Sequence, residues 1–141
     1  MRIIIGNLTS FIFLILSLVH VYWAFGGKWG QSGAIPTRAG KSLLQPGVFG
    51  TLLVALALLL ASFFMLSGSG MFTFNNRFHF INNSGILTVA VLFLLRAIGD
   101  FKYIGFFKKY RETPFAFWDT RLHSPLCLFI SASAFYLGFA N

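Results

Sequence analysis

A chain of 141 residues is one domain by length, and its composition of 57% hydrophobic against 10% charged residues excludes an ordinary soluble fold. Soluble domains carry about 25% charged residues, and one this small has too much surface to cover with fewer. Eleven basic residues against three acidic ones give a net charge of +8; beside apolar runs such residues are interfacial anchors, which excludes nucleic acid as the partner even though "FKYIGFFKKYR" interleaves aromatics with lysines.

The first apolar run covers about residues 3–25, long enough to cross a hydrocarbon core of about 20 helical residues. Its end, Ala24-Phe25-Gly26, has the small-x-small form of a signal-peptide cleavage site. The run is long for a signal peptide and ends in His20, Tyr22 and Trp23, so it is read as a retained span. Residues 26–47 hold six glycines and two prolines and read as an irregular or re-entrant loop. The second span, about 48–67, opens after Pro46-Gly47 and closes on "SGSG" at 67–70. The third covers about 81–99. Residues 101–110 read as an interfacial helix, followed by a turn at Thr113-Pro114. The fourth span, about 125–140, opens on Ser124 as N-cap with Pro125 at the first helical position. The expectation is an all-α, integral-membrane four-helix bundle, a single membrane domain over 1–141, with an interfacial helix between spans three and four.

Four spans put both termini and the loop between spans two and three on one side, which carries Arg2 and Arg77. The other side carries Lys28, Arg38, Lys41, Lys102, Lys108, Lys109, Arg111 and Arg121, with Arg96 just inside. The positive-inside rule then places both termini outside the cytoplasm. Lys102, Lys108, Lys109 and Arg111 are expected to hold anionic lipid headgroups.

The unusual polar residues gather at that basic face: His20 and Trp23 at the end of span one, Arg96 and Asp100 at the end of span three, Asp119, Arg121 and His123 before span four. Ser10, Ser17, His20 and Ala24 fall on one stripe of span one, since steps of three, four and seven keep to one helical face. Arg96 and Asp100 stand at i, i+4, where opposite charges neutralise each other. A charge in an apolar helix faces the bundle or water, so the pair marks the inward face of span three. It serves as a clasp, with Arg96 reaching Asp100 or Asp119, or as the polar floor of a ligand pocket. Acid–base chemistry by His20 with Asp100 or Asp119 is the third reading. In the clasp reading Asp100→Asn is the more damaging change, because it strands Arg96; if Asp119 also contacts Arg96, Asp100→Asn is milder and Asp119→Asn costs comparably.

No cofactor or metal is expected. His20, Asp100, Asp119 and His123 lack ligand spacing on one helix, and a haem between His20 and His123 has no attachment motif. Cys127, the single cysteine, reads as an inert buried thiol. Gly50, Ala57 and Ala61 on span two, and Ser124, Cys127, Ser131, Ala134 and Gly138 on span four, form small-residue stripes for close packing.

Three stretches, "HVYWAFGGKWG" at 20–30, "LLRAIGDFKYIGFFKK" at 94–109 and "FAFWDTRLHSPLCL" at 115–128, carry a family resemblance. Together they resemble a bacterial family of small four-span membrane proteins catalogued only as a domain of unknown function. The resemblance implies a four-helix bundle in a bacterial inner membrane and brings no activity with it.

The expected function is to bind or move a hydrophobic or anionic small molecule or lipid, through His20, Trp23, Arg96, Asp100, Asp119 and Arg121. The alternatives are a membrane enzyme acting on a lipid or isoprenoid, or a complex subunit with basic docking loops; oligomeric state stays open. A binder is expected to hold a pocket between spans one, three and four. An enzyme would bring His20 within reach of a carboxylate.

Overall fold

The computed structural model describes residues 1–39, 41–43, 45–72 and 75–140. Four helices are long and apolar enough to cross a membrane: α1 (Arg2–Ala24), α3 (Val48–Gly68), α4 (Asn76–Ile98) and α5 (Pro114–Phe139). A short α2 (Gln31–Ala34) and a two-residue hairpin, β1 (Thr37–Arg38) with β2 (Lys41–Ser42), fill the first long loop. The chain is an all-α, multi-pass membrane protein.

The helices pack as two antiparallel pairs, α1 with α3 and α4 with α5, and hydroxyls seal both seams. Ser62 Oγ donates to the Ser10 carbonyl at 2.8 Å and so accepts from Ser10 Oγ at 2.9 Å. Ser17 Oγ donates to the Ala55 carbonyl at 2.7 Å, and Ser131 Oγ to the Ala90 carbonyl at 2.8 Å. No water in a hydrocarbon core can satisfy these groups, so they turn toward a partner helix. That rule corrects the stripe expected on span two. Gly50 and Ala57 are exposed, and the packed line runs through Thr51, Ala55, Ser62, Met65 and Ser69, with Ala61 beside it. The stripe on the last span is buried along its whole length. Phe13, Met65, Ile86, Ile130 and Leu137 join the two pairs in one core. Leu53, Leu56 and Leu60 point outward, as side chains do when the solvent is lipid.

Arg2 ties one end together. Its guanidinium donates to the carbonyls of Ala140 at 2.9 Å and Gly68 at 3.2 Å, a cation on the free C-terminal carbonyls of two helices. The start of α1 and the C-terminal ends of α3 and α5 therefore share this end. The described residues of 25–47, and residues 99–113, lie at the other.

The last span begins eleven residues earlier than expected. Thr113 caps it, Oγ1 accepting from Ala116 N–H at 3.1 Å, with Pro114 in the first turn. Ser124-Pro125, which carries the same signal, sits inside the helix. A π-turn at Asp119–His123 accommodates it: Ser124 N–H reaches back five residues to the Asp119 carbonyl. Proline breaks the α-helical ladder by lacking an N–H, and a π-turn absorbs the break by adding one residue. The extra residue also shifts the inward face, so buried Asp119 is followed by buried Ser124, five positions on rather than four.

Residues 101–110 form bends and turns, not the expected interfacial helix. After α4, Gly99 (φ +88°) and Phe101 (φ +60°) turn the chain, and Gly105 (φ +88°) turns it again. The two glycines meet face to face: a Cβ on Gly105 would overlap the Ile98 carbonyl and the Gly99 Cα. Phe106 N–H then donates to the Ala97 carbonyl at 3.0 Å, closing the loop on the end of α4.

Candidate functional site

Asp100 closes this loop from within. Its Oδ1 accepts from the N–H groups of Lys102, Tyr103 and Ile104 at 2.9, 2.7 and 2.9 Å. It does not pair with Arg96. Helix α4 stops at Ile98, so the i, i+4 geometry that would join the two charges ends before Asp100. Partial desolvation raises the Asp100 pKa, but the hydrogen bonds from Ile104, Tyr103 and Lys102 outweigh it and hold the carboxyl below its ordinary 3.8. A depressed carboxylate stabilises the fold above the unfolded pKa and loses that contribution as pH falls through the folded one. The loop is therefore expected to weaken below about pH 4. Asp100→Asn, which keeps the acceptor oxygen, should melt close to wild type in detergent at neutral pH. Asp100→Ala should lose about 1 kcal/mol, as capping residues do. Equal losses would show that the carboxylate charge, not the acceptor, matters.

Arg96 pairs instead with Asp119, Nη2 to Oδ1 at 2.8 Å. The second Asp119 oxygen accepts from Gly105 N–H at 2.8 Å and from Lys108 Nζ at 3.0 Å. Lys108 is 2% exposed, so the sequence reading of this lysine as a lipid-facing anchor is corrected. Its ammonium gives all three protons to protein: to Asp119, to the Gly105 carbonyl at 2.9 Å and to Thr120 Oγ1 at 2.6 Å. A buried carboxylate between two cations, with every ammonium proton placed, clasps the 99–113 loop onto the first turns of α5 and the end of α4. Arg96 Nη1, His123 Nδ1 and Ser124 Oγ are buried without a protein partner among the described residues. Arg121 takes no part; it is exposed and stacks over the Phe117 ring at 4.2 Å.

His20 and Trp23 belong to a separate place. They line a cavity of about 510 Å³ between α1, the start of α3 and the 25–47 loop. The pocket lies between spans one and two, not between spans one, three and four as the sequence suggested. The loop that walls it is itself tied down. Trp23 Nε1 donates to the Trp29 carbonyl at 2.7 Å, Gln31 Nε2 donates to the Gly27 carbonyl at 2.8 Å, and α2 rests on Trp118 at Gly33. His20 Nδ1 lies 2.7 Å from the Leu16 carbonyl. That oxygen can only accept, so in the neutral ring Nδ1 carries the proton and Nε2 keeps its lone pair. Val54, Ile35 and Pro36 supply apolar wall, and Gln31, Gln45 and Ser42 supply polar groups.

The family described as "Protein of unknown function (DUF3995)" matches residues 13–134. The chain belongs to this family. No curated protein and no solved structure matches it. The DUF3995 match runs from the middle of α1 to near the end of α5, so it takes in both the cavity and the Asp119 clasp.

Of the six residues expected to act together, the structure thus brings together His20 with Trp23, and Arg96 with Asp119. Sequence reasoning missed Lys108, Gly105 and Thr120 as members of the clasp, and Val54, Gln31 and Gln45 as cavity wall. One signal was present for the first group: Asp119 is the single acid within the last span, and two Ile-Gly pairs (98–99 and 104–105) frame the loop that meets it.

Proposed function

We propose that this protein binds a small apolar or amphiphilic molecule in the cavity beside His20, at the cytoplasmic face of a bacterial inner membrane. The observation that carries the reading is the cavity itself. Its volume of about 510 Å³ falls in the range of ligand sites, and its wall combines apolar surface from Ala34, Ile35, Pro36 and Val54 with the polar groups of His20, Gln31, Ser42, Gln45 and Thr51. The Nε2 lone pair of His20 suits a hydroxyl or other donor on the ligand, while Val54 and Ile35 suit a hydrocarbon body. Its place at the end of α1 and the start of α3 gives a lipid-soluble molecule a short route in. The acid–base alternative requires a carboxylate beside His20. Among the described residues no acid lines this cavity, and Asp100 and Asp119 are committed to the bonds above.

If His20 anchors the ligand by one hydrogen bond, His20→Ala should weaken retention of the co-purifying molecule roughly fivefold while leaving the melting temperature within a few degrees. Unchanged retention would remove His20 from the site. The cytoplasmic placement rests on nine basic residues against two. A reporter active only in the cytoplasm should be silent after Asn141 and active in the 26–47 loop. The reverse pattern would put the cavity on the outer face.

A further inference from the structure

A second cavity, of about 500 Å³, lies between the β1–β2 hairpin and the 103–113 segment and shares no lining residue with the first. Three of its residues are cations, Arg38, Lys109 and Arg111, and one, Glu112, is an anion. Both ion pairs among the described residues are made by Asp119, so Glu112 forms a direct ion pair with none of the three, and the lining keeps a net positive charge. The cations come from two loops about seventy residues apart in sequence, brought together only by the fold.

Two of the three are held in place. The Arg38 guanidinium lies over the Tyr110 ring at 5.6 Å, and its Nη1 is 3.5 Å from the Tyr103 hydroxyl. Tyr103 and Tyr110 stack, with ring centres 5.2 Å apart and planes within 15°. Arg111 Nε donates to the carbonyl of Lys108 at 3.3 Å, and Lys108 is locked by Asp119 and Thr120. That bond leaves both terminal nitrogens of Arg111 without a protein partner among the described residues. A planar guanidinium presents paired N–H groups at the spacing of phosphate oxygens, and one already fixed in orientation loses less freedom on binding. The tyrosine hydroxyls add neutral donors on the same wall.

We propose that Arg38, Lys109 and Arg111 form a binding site for a single phosphate group, carried either by a lipid headgroup or by a soluble phosphate ester. The site lies between the hairpin and the segment that links α4 to α5, next to the ends of two membrane-length helices. Arg38 sets it apart from general basic attraction, because this hairpin residue contacts both tyrosines of the stack.

The test uses the full chain in a neutral detergent, with phosphatidylglycerol, phosphatidylcholine and glycerol 1-phosphate as probes, binding being read by native mass spectrometry. Wild type should retain phosphatidylglycerol over phosphatidylcholine. Each neutralised cation should weaken that retention on the order of fivefold, the weight of one basic residue at an anionic surface. Lys109→Gln with Arg111→Gln leaves the Arg38–tyrosine stack intact, and Arg38→Gln tests the stack's own cation. Lys28→Gln with Arg77→Gln removes equal charge outside the cavity and away from the hairpin, and should change nothing. Displacement of the lipid by millimolar glycerol 1-phosphate identifies a site for phosphate itself; retention of the lipid alone identifies a headgroup site. Equal losses in the Lys28/Arg77 control, or full binding in the Arg38 and Lys109/Arg111 variants, would overturn the proposal.

Discussion

Asp119→Asn should be the most damaging single polar substitution, costing about 3–5 kcal/mol and lowering the detergent melting temperature by on the order of 10 °C or more. The Asp119 side chain is wholly buried, and so is that of Lys108, one of its two cations; the side chain of the other, Arg96, is 33% exposed. An asparagine keeps the shape and one acceptor but removes the charge, leaving a buried ammonium with no anion. Arg96 can recover part of its loss from solvent, whereas Lys108 cannot. Lys108→Met should therefore cost less than Asp119→Asn, since Asp119 would still hold Arg96 and the Gly105 N–H. The double variant Asp119→Asn, Lys108→Met should be more stable than Asp119→Asn alone, because removing both members of a buried pair is often near neutral. A double variant worse than either single would mean that the two residues do not act on each other. The sequence alone put Asp100 first, with Asp119→Asn costing comparably if Asp119 also touched Arg96; the structure pairs Arg96 with Asp119.

The second large effect is expected at Gly105. Gly105→Ala asks an alanine to hold φ +88° and to place its Cβ into the Ile98 carbonyl and the Gly99 Cα. The left-handed backbone alone costs roughly 1–2 kcal/mol. The overlap is with backbone on the opposite limb of the loop, which cannot rotate away as a side chain would. The loop must open, and the Gly105 N–H then leaves the Asp119 carboxylate. A loss above about 3 kcal/mol is expected, with a further signature: adding Gly105→Ala to Asp119→Asn should cost less than Gly105→Ala in wild type. Gly50→Ala is the control. A Cβ on Gly50 meets nothing within 4 Å, so the change should be neutral or stabilise α3 by up to about 1 kcal/mol. If Gly105→Ala melts like Gly50→Ala, the close approach of the two glycines is wrong.

The spans were legible in the sequence because hydropathy over about 20 residues needs no tertiary information. The buried stripe on the last span was legible for a similar reason: Ser124, Cys127, Ser131, Ala134 and Gly138 repeat at helical spacing. What lay beyond reach came from contacts between segments. In "FFKKY" nothing local distinguishes Lys108 from Lys109. One is buried because the turn at Gly105 aims it at Thr120 and Asp119, and the other stays exposed. The aromatic spacing of 101–110 resembled an interfacial helix, and Asp100 does cap the first N–H groups as a helix start would. Gly105 in the left-handed region then ends the turn before a helix can form. Thr113-Pro114 and Ser124-Pro125 carry the same start signal, and only the packing of Phe115 and Ala116 into the bundle decides between them. The cavity beside His20 was half legible. His20 and Trp23 stood out as polar and aromatic at a span end, but its opposite wall comes from a glycine-rich loop whose course follows from contacts to Trp118 and Trp23.

In the proposed function the polar residues divide between a clasp that holds the fold and a cavity that holds a ligand. Native mass spectrometry of the protein released from its own membranes, beside Val54→Trp, tests this most directly. Val54 lines the cavity, so an indole there fills space that the ligand would occupy. The expected result is an added small-molecule mass on wild type that is absent from Val54→Trp, with both proteins folded and melting at similar temperatures. A wild-type spectrum showing only the bare chain, or the same added mass on both proteins, would contradict it.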